Sequence, residues 1–277
     1  MIYTDHHVHT SYSPDSDADI KEYLIKAKNL GLKHIMFTDH MDFGNKDALF
    51  QNPIDYDEYF KTMKSLEEEH QIPIQVGVEI GYDKNYKNEI DEFLGKYPFD
   101  FVIGSVHSGE GEDFYSGDFF NEKTQEESYL EYFEILLEMV ENFNNFDVAG
   151  HIDYITRYGH FDHKFYNYED YKEIIDNILK ALIKNGKGIE VNTSGLRSPL
   201  NTTFPKEEVL KRYEELGGKI ITIGSDSHFN KDYHADILKV IDYLKTLGFS
   251  EISSFTKRKI ESIVINDERL SSEEIKF

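Results

Sequence analysis

Two rhythms of apolar and polar residues take turns along this chain. Short runs rich in β-branched and aromatic residues, at 2–8, 34–38, 74–80, 99–106, 147–152, 188–192 and 219–224, have the length and composition of buried strands. Between them, apolar positions spaced three and four apart predict helices at 19–30, 57–69, 88–97, 125–143, 170–185, 205–216 and 235–247. The punctuation agrees. Asp19 is a cap residue, a loop with Gly44 and Pro53 follows the second strand, Gly31, Gly186 and Gly217-Gly218 follow helix ends, and Pro205 suits a first helical turn. A last helical piece, after 247, is expected to cover the barrel. Because strand and helix alternate without a linker, the pattern predicts one α/β domain over residues 1–277 with a parallel sheet.

What the strands deliver is more informative than the strands themselves. The first ends in Asp5-His6-His7-Val8-His9, and alternation along a strand puts Asp5, His7 and His9 on one face and turns His6 and Val8 away. The next ends release Asp39-His40, Glu79, His107, His151 with Asp153, and Asp226 with His228; the remaining one offers Glu190 and Asn192. A closed parallel barrel brings all those ends to one mouth, where the active sites of such barrels lie. An open sheet would spread them along an edge, so the distribution favours closure.

Composition narrows the chemistry. There is no cysteine, so a metal would be held by nitrogen and oxygen alone. Thirty basic against fifty-three acidic side chains leave a formal charge of −23, a surface that repels a nucleic-acid backbone. No apolar run reaches membrane-spanning length and no leader-like segment opens the chain, so the expected location is the cytoplasm and the expected partner is a small molecule, with no membrane. If that molecule is an anion, local cations and a few placed arginines must attract it against the global field.

Taken together, Asp5-x-His7-x-His9, Thr38-Asp39-His40, Glu79, His107, Gly150-His151 and Asp226-x-His228 resemble the polymerase and histidinol phosphatase (PHP) superfamily of metal-dependent phosphoesterases, in order and over essentially the whole chain. Gly150-His151-Ile152-Asp153 with Arg157, and Glu190-Val191-Asn192-Thr193-Ser194 with Arg197, resemble its stand-alone histidinol-phosphate phosphatase branch. The resemblance implies a distorted (β/α)7 TIM-like barrel and three divalent metal ions, zinc, manganese or iron. It implies a first ion on His7, His9, Glu79 and Asp226, a second on Glu79, His107 and His151, and a third on Asp15, His40 and His228. Asp15 departs from the histidine that many relatives carry, and Asp17 is its competitor. The reaction implied is hydrolysis of L-histidinol phosphate to L-histidinol and phosphate by a metal-bridged hydroxide, a step of histidine biosynthesis.

Within that scheme, Arg157 and Arg197 are candidates for bidentate phosphate contacts, and Asp15 with His40, or a water on the metal they hold, for protonating the leaving group. Asp39, Asp153 and Glu190 are expected to brace metal-bound imidazoles. His6, His34, His70, His160, His163 and His234 read as packed, surface or supporting residues. The glycine-rich, acidic loop 108–123 is long enough to be a lid, and its Glu110, Glu112 and Asp113 could receive a cationic substrate end. Three other readings compete: a phosphoesterase acting on nucleotides or another small phosphomonoester, an amidohydrolase, and a non-catalytic metal-binding module. Amidohydrolases bridge their metals with a strand-end lysine, and here Glu79 holds that kind of position.

Overall fold

The computed structural model describes residues 3–51, 54–109 and 111–265; Ile2, Pro53, Glu110 and the part of the C-terminal piece after 265 lie outside the described residues. In chain order the strands are β1 (Ile35–Phe37), β2 (His40–Asp42), β3 (Ile74–Gly81), β4 (Phe101–Ser105), β5 (Ser108–Gly109), β6 (Glu112–Asp113), β7 (Val148–Ala149), β8 (Gly188–Asn192), β9 (Ile221–Gly224), β10 (Glu251–Thr256) and β11 (Lys259–Val264). The helices are α1 (Ile20–Asn29), α2 (Tyr56–His70), α3 (Lys87–Lys96), α4 (Gln125–Asn142), α5 (Tyr168–Lys184), α6 (Glu207–Glu215) and α7 (Ile237–Thr246). Side chains fix several helix starts: Asp19 accepts from the Lys21 amide, and Thr124 with Glu127 forms a capping box at α4. Pro205 precedes α6, whose cap is Lys206, rather than standing in its first turn.

The main sheet runs β1-β3-β4-β7-β8-β9, parallel throughout, with β2 added beside the end of β3. Its two outer strands are joined by residues 3–10. The His6 amide donates to the Ile223 carbonyl at 3.0 Å and the Asp226 amide to the His7 carbonyl at 2.8 Å, while on the other side the Thr38 amide donates to the Val8 carbonyl at 2.8 Å. This segment is the seventh stave of a distorted TIM-like barrel. It was expected as a strand over 2–8, yet it makes one isolated bridge, Val8 to Ser227. The cause is Asp5, whose carboxylate accepts from the amides of Ser225, His7 and His234 and bends the chain out of regular pleating.

Register separates the two cores. Glu79 lies beside Ile103 and Ile103 beside Val148, so these side chains share the barrel interior. Met36, Phe101, Ile103, Val148 and Phe255 form a buried cluster there. The outward residues, among them Phe37, Val78, Val102, Ile189 and Ile223, pack in the larger cluster that includes the apolar faces of the helices. Phe255 belongs to the β10–β11 hairpin, where a helical piece was expected. The hairpin closes the amino ends of the strands: its turn is held by Lys257 and Arg258 amides on Asp100, and the Arg258 side chain by Asp147. Opposite ends of one barrel therefore carry a sealed floor and an open mouth.

Candidate metal centre

The bend at Asp5 decides which histidines reach the mouth. Asp5, expected to face the same way as His7 and His9, is spent on backbone amides and stays out of the cluster. His6 turns into the barrel floor, with Nε2 at 3.1 Å from Ser254 Oγ and its ring edge-on to Phe101; burial lowers its pKa to about 3. His7 and His9 rise to the mouth. Gly224 allows this, since a β-carbon there would lie 2.3 Å from His7 Cβ and 2.4 Å from Glu190 Oε1. Asp226 reaches the same point from a left-handed backbone, φ 53°, which aspartate tolerates better than most residues. The pairing of β2 with β3 sets His40 beside Glu79.

Glu79, 1% exposed, is the hub. Its Oε2 lies 3.1 Å from His7 Nε2 and 3.4 Å from His9 Nε2, and Asp226 Oδ1 lies 3.7 and 3.5 Å from the same nitrogens. Its Oε1 lies 3.2 Å from His107 Nε2 and 2.9 Å from His151 Nε2, and those two nitrogens are 3.4 Å apart. Asp15 Oδ2 sits 3.6 Å from His40 Nε2 and 3.2 Å from His228 Nε2. The rings of His40 and His228 both stack against His9, at 4.2 and 4.1 Å, and lie 5.7 Å from each other. Asp17, its competitor, is exposed and lines no part of the cavity.

These spacings suit a cation. With bonds of about 2.0–2.2 Å, donor atoms around a tetrahedral ion stand roughly 3.3–3.6 Å apart, and the separations found here, from 2.9 to 3.7 Å, bracket that range. His7 Nε2, His9 Nε2 and Glu79 Oε2 are buried and make no hydrogen bond among the described residues, although each approaches a common point. A buried polar atom without a partner costs free energy, so three aimed together argue for a bound group that satisfies them. The groups His7–His9–Glu79, Glu79–His107–His151 and His9–His40–His228 each bring their donor atoms within 4.8 Å of one another.

Electrostatics describes the same cluster as a web of protons. Burial opposes charge on His7, yet Glu190, Glu79 and Asp226 outweigh it and hold its pKa well above the usual value. His40 is pushed up to about 9, with Asp15 and Glu79 overcoming burial. Against burial, the imidazoles around Glu79 and Asp226 hold both carboxyls well below the ordinary range. His9, buried and beside His228 and His40, is held well below. Imidazolium protons stand where cations would, and a metal would displace them.

Behind the cluster, second contacts fix the rings. Glu190 Oε1 takes His7 Nδ1 at 2.6 Å and its Oε2 takes the His151 amide at 3.0 Å. Ser13 Oγ stands 3.0 Å from His9 Nδ1 and donates to Asp39 Oδ1 at 2.7 Å. Asp42, which the sequence reading passed over, takes His107 Nδ1 at 2.7 Å. Its spacing two after His40, the same-face interval of a strand, was the available signal. Asp153 is a correction: its carboxylate binds the Lys206 amide and the Tyr166 hydroxyl, away from any of these imidazoles.

The cluster floors a cavity of about 580 Å³. Arg157 and Arg197 both line it. Arg157 Nη1 lies 3.2 Å from Ser194 Oγ and 3.6 Å from Asp226 Oδ2, while Arg197 is tied back to Ser225, Thr193 and Asp232. Tyr154 stacks on His151 at 4.1 Å and its hydroxyl meets that of Tyr158 at 2.5 Å; neither tyrosine was anticipated. The described part of the 108–123 loop forms a wall whose Phe114, Phe119 and Phe120 are buried. Of its acids, Asp113 lines the cavity, bound to Asn45, whereas Glu112 is exposed and does not. His160 and His163 are exposed and do not line it either.

A parallel barrel that gathers histidines and acids around one glutamate at its mouth is the architecture of a metal-assisted hydrolase. The chain belongs to the PHP domain family, whose model matches residues 5–194. It is 36% identical to the histidinol-phosphatase of Lactococcus lactis over 260 residues, 93% of this chain and 96% of that one. It is 34% identical to a probable histidinol-phosphatase of Clostridium acetobutylicum, covering 81% and 86% of the two chains. The crystal structure of the Lactococcus lactis histidinol phosphate phosphatase with zinc, L-histidinol and phosphate superimposes with a TM-score of 0.87, covering 94% of this chain and 99% of the other. Among the described residues, no helix is long and apolar enough to cross a membrane.

Proposed function

We propose that this protein hydrolyses L-histidinol phosphate to L-histidinol and inorganic phosphate with the help of three divalent cations, zinc, manganese or iron. The observation that carries the reading is Glu79, whose two buried oxygens face two separate sets of imidazoles. One ion would rest on His7, His9, Glu79 and Asp226, a second on Glu79, His107 and His151, and a third on Asp15, His40 and His228. Bound there, the cations would supply Lewis-acid charge and a water acidic enough to attack near neutral pH.

The chain's own groups do the rest. Arg157 and Arg197 line the cavity and would bind the equatorial phosphoryl oxygens, where charge accumulates, Arg197 by leaving part of its present contacts to Thr193, Ser225 and Asp232. Tyr154 and Tyr158 wall the cavity and exclude water from one side. The proton for the departing alkoxide would come from the Asp15–His40 pair or, where both hold the third ion, from a water on that ion which the pair positions. Asp15→Asn should slow histidinol phosphate by about 10²–10⁴ while an aryl phosphate with a good leaving group loses far less, and equal losses would remove the pair from that role. The decisive test is phosphate release from histidinol phosphate against a panel of nucleotides, after metal analysis of the purified protein. Preference for a nucleotide would move the assignment to another phosphoesterase of the same family, and a protein that takes up no metal would overturn it.

A further inference from the structure

The end of β8 carries Asn192, which the sequence offered beside Glu190 and which none of the ion positions takes up. It is fully buried, and its amide is fixed end for end. The Ser194 backbone N–H donates to Oδ1 at 2.9 Å, so that end is the oxygen, and Nδ2 donates to Glu190 Oε2 at 3.4 Å. The Ser194 hydroxyl stands 2.7 Å from the same Oδ1 and 3.2 Å from Asp226 Oδ2. Both of those are acceptors, so its one hydrogen goes to one of them and its lone pairs are left for a donor. Arg157 Nη1 is that donor, at 3.2 Å, in the one hydrogen bond its guanidinium makes among the described residues.

We propose that Ser194, with Asn192 behind it, is a positioning residue that holds the Arg157 guanidinium ready for the phosphoryl group and off Asp226. The inference rests on the phosphatase reading above. Arg157 Nη1, Ser194 Oγ and Asp226 Oδ2 form a triangle with sides of 3.2, 3.2 and 3.6 Å, and the hydroxyl, not the carboxylate, takes the hydrogen bond. A guanidinium has five donors and no acceptor. Without the hydroxyl, Asp226 is the acceptor left within reach, and an arginine drawn into an ion pair there has less to offer a phosphate. Ser194 also follows closely on Glu190, whose oxygens take His7 Nδ1 and the His151 amide. The stretch 190–194 therefore sets the imidazoles of the cluster and the arginine together, and Asn192 is the link that ties one to the other.

Ser194→Ala removes the hydroxyl and little else. Wild type, Ser194→Ala, Arg157→Ala and the double variant are loaded with zinc and freed of excess, then titrated with inorganic phosphate in a calorimeter and assayed with histidinol phosphate. Ser194→Ala is expected to weaken phosphate binding and lower kcat/KM by about 3–10-fold, the range of one hydrogen bond. Ser194→Thr, which keeps the hydroxyl, should recover most of that loss. In the Arg157→Ala background, Ser194→Ala should cost less than a further factor of about two, because a residue that acts through the guanidinium then has nothing to position. A serine that merely supports the fold would cost as much in either background. An undiminished loss without Arg157, or phosphate affinity in Ser194→Ala equal to that of the wild type, would overturn the inference. A zinc-loaded wild type that neither binds phosphate nor releases it from the ester is a different failure, which removes the phosphatase reading and this inference with it.

Discussion

The barrel floor offers the cleanest test of the architecture, through Phe255→Ala. Phe255 is 1% exposed, packs against Phe101 at a ring distance of 5.0 Å, and completes the interior cluster with Met36, Ile103 and Val148. A buried phenylalanine removes about 150–250 Å² from water, which at about 25 cal/mol per Å² is roughly 4–6 kcal/mol. Part of that burial survives in a compact unfolded chain, which trims the figure by about 10–40%. Alanine recovers a further share and a cavity remains, so a loss of about 3–4 kcal/mol is expected, inside the usual range for this truncation. For a chain of this length that lowers the melting temperature by roughly 6–16 °C.

Urea unfolding at fixed zinc measures the loss, with Val264→Ala as the control. Val264 lies on the outer strand of the same hairpin, 59% exposed, and should change stability by less than about 0.5 kcal/mol. Zinc affinity and turnover at 25 °C should be unchanged in Phe255→Ala, because the hairpin seals the end of the barrel opposite the mouth. A Phe255→Ala variant as stable as the control would refute the floor. A stable variant that had lost zinc would refute the separation of floor from site.

Removing the cations should leave a folded but weaker protein: at free zinc about one hundred times the dissociation constant, the bound form gains about 2.7 kcal/mol, read as a higher melting temperature that chelation reverses together with activity. Arg157→Ala should reduce kcat/KM and inhibition by inorganic phosphate by about 10–100-fold, the worth of a charge-assisted contact, and unaltered phosphate inhibition would exclude the contact. A partly buried ion pair between two helices sets one acid limb of stability. Arg212 grips Asp176 at 2.9 and 2.7 Å between α6 and α5, and its hydrogen bonds hold the carboxyl down to about 2. Its contribution is complete above the unfolded pKa and fades as pH falls from about 4 toward 2, so Asp176→Asn should flatten stability over that window in pH-dependent melts.

Much of the site was legible because strand ends carry a simple code. Parallel strands deliver whatever residue ends them to one mouth, so His40, Glu79, His107, His151, Asp226 and His228 could be grouped before their distances were known. What escaped depended on distant partners. Asp5 looked like a companion of His7 by alternation, but its oxygens are claimed by amides at Ser225 and His234, more than two hundred residues away. The C-terminal hairpin hid for a different reason. Its tight turn needs two residues with positive φ, usually asparagine and glycine, and here Lys257 and Arg258 adopt 52° and 62°. Asp100 and Asp147 hold that turn from the barrel floor, so the familiar sequence signature is replaced by long-range bonds.

The overall charge makes the cations more than cofactors of the chemical step. A chain at −23 repels a phosphate dianion, and the cavity is lined by Asp15, Asp42, Glu79, Asp113, Asp226 and Asp232, six carboxylates set against the fixed charges of Arg157 and Arg197, with Glu190 behind them on His7. Without metal, part of that excess is cancelled by imidazolium protons, as at His7 and His40, whose pKa values the carboxylates raise. Those protons sit on the nitrogens that would bind the ions, so they are lost on loading and replaced by larger, fixed charges. Three divalent ions would turn the pocket from net negative to net positive while the outer surface stays acidic. The carboxylates that bar phosphate from the empty pocket are therefore the ones that admit it once loaded, and affinity for the anion becomes a readout of metal occupancy.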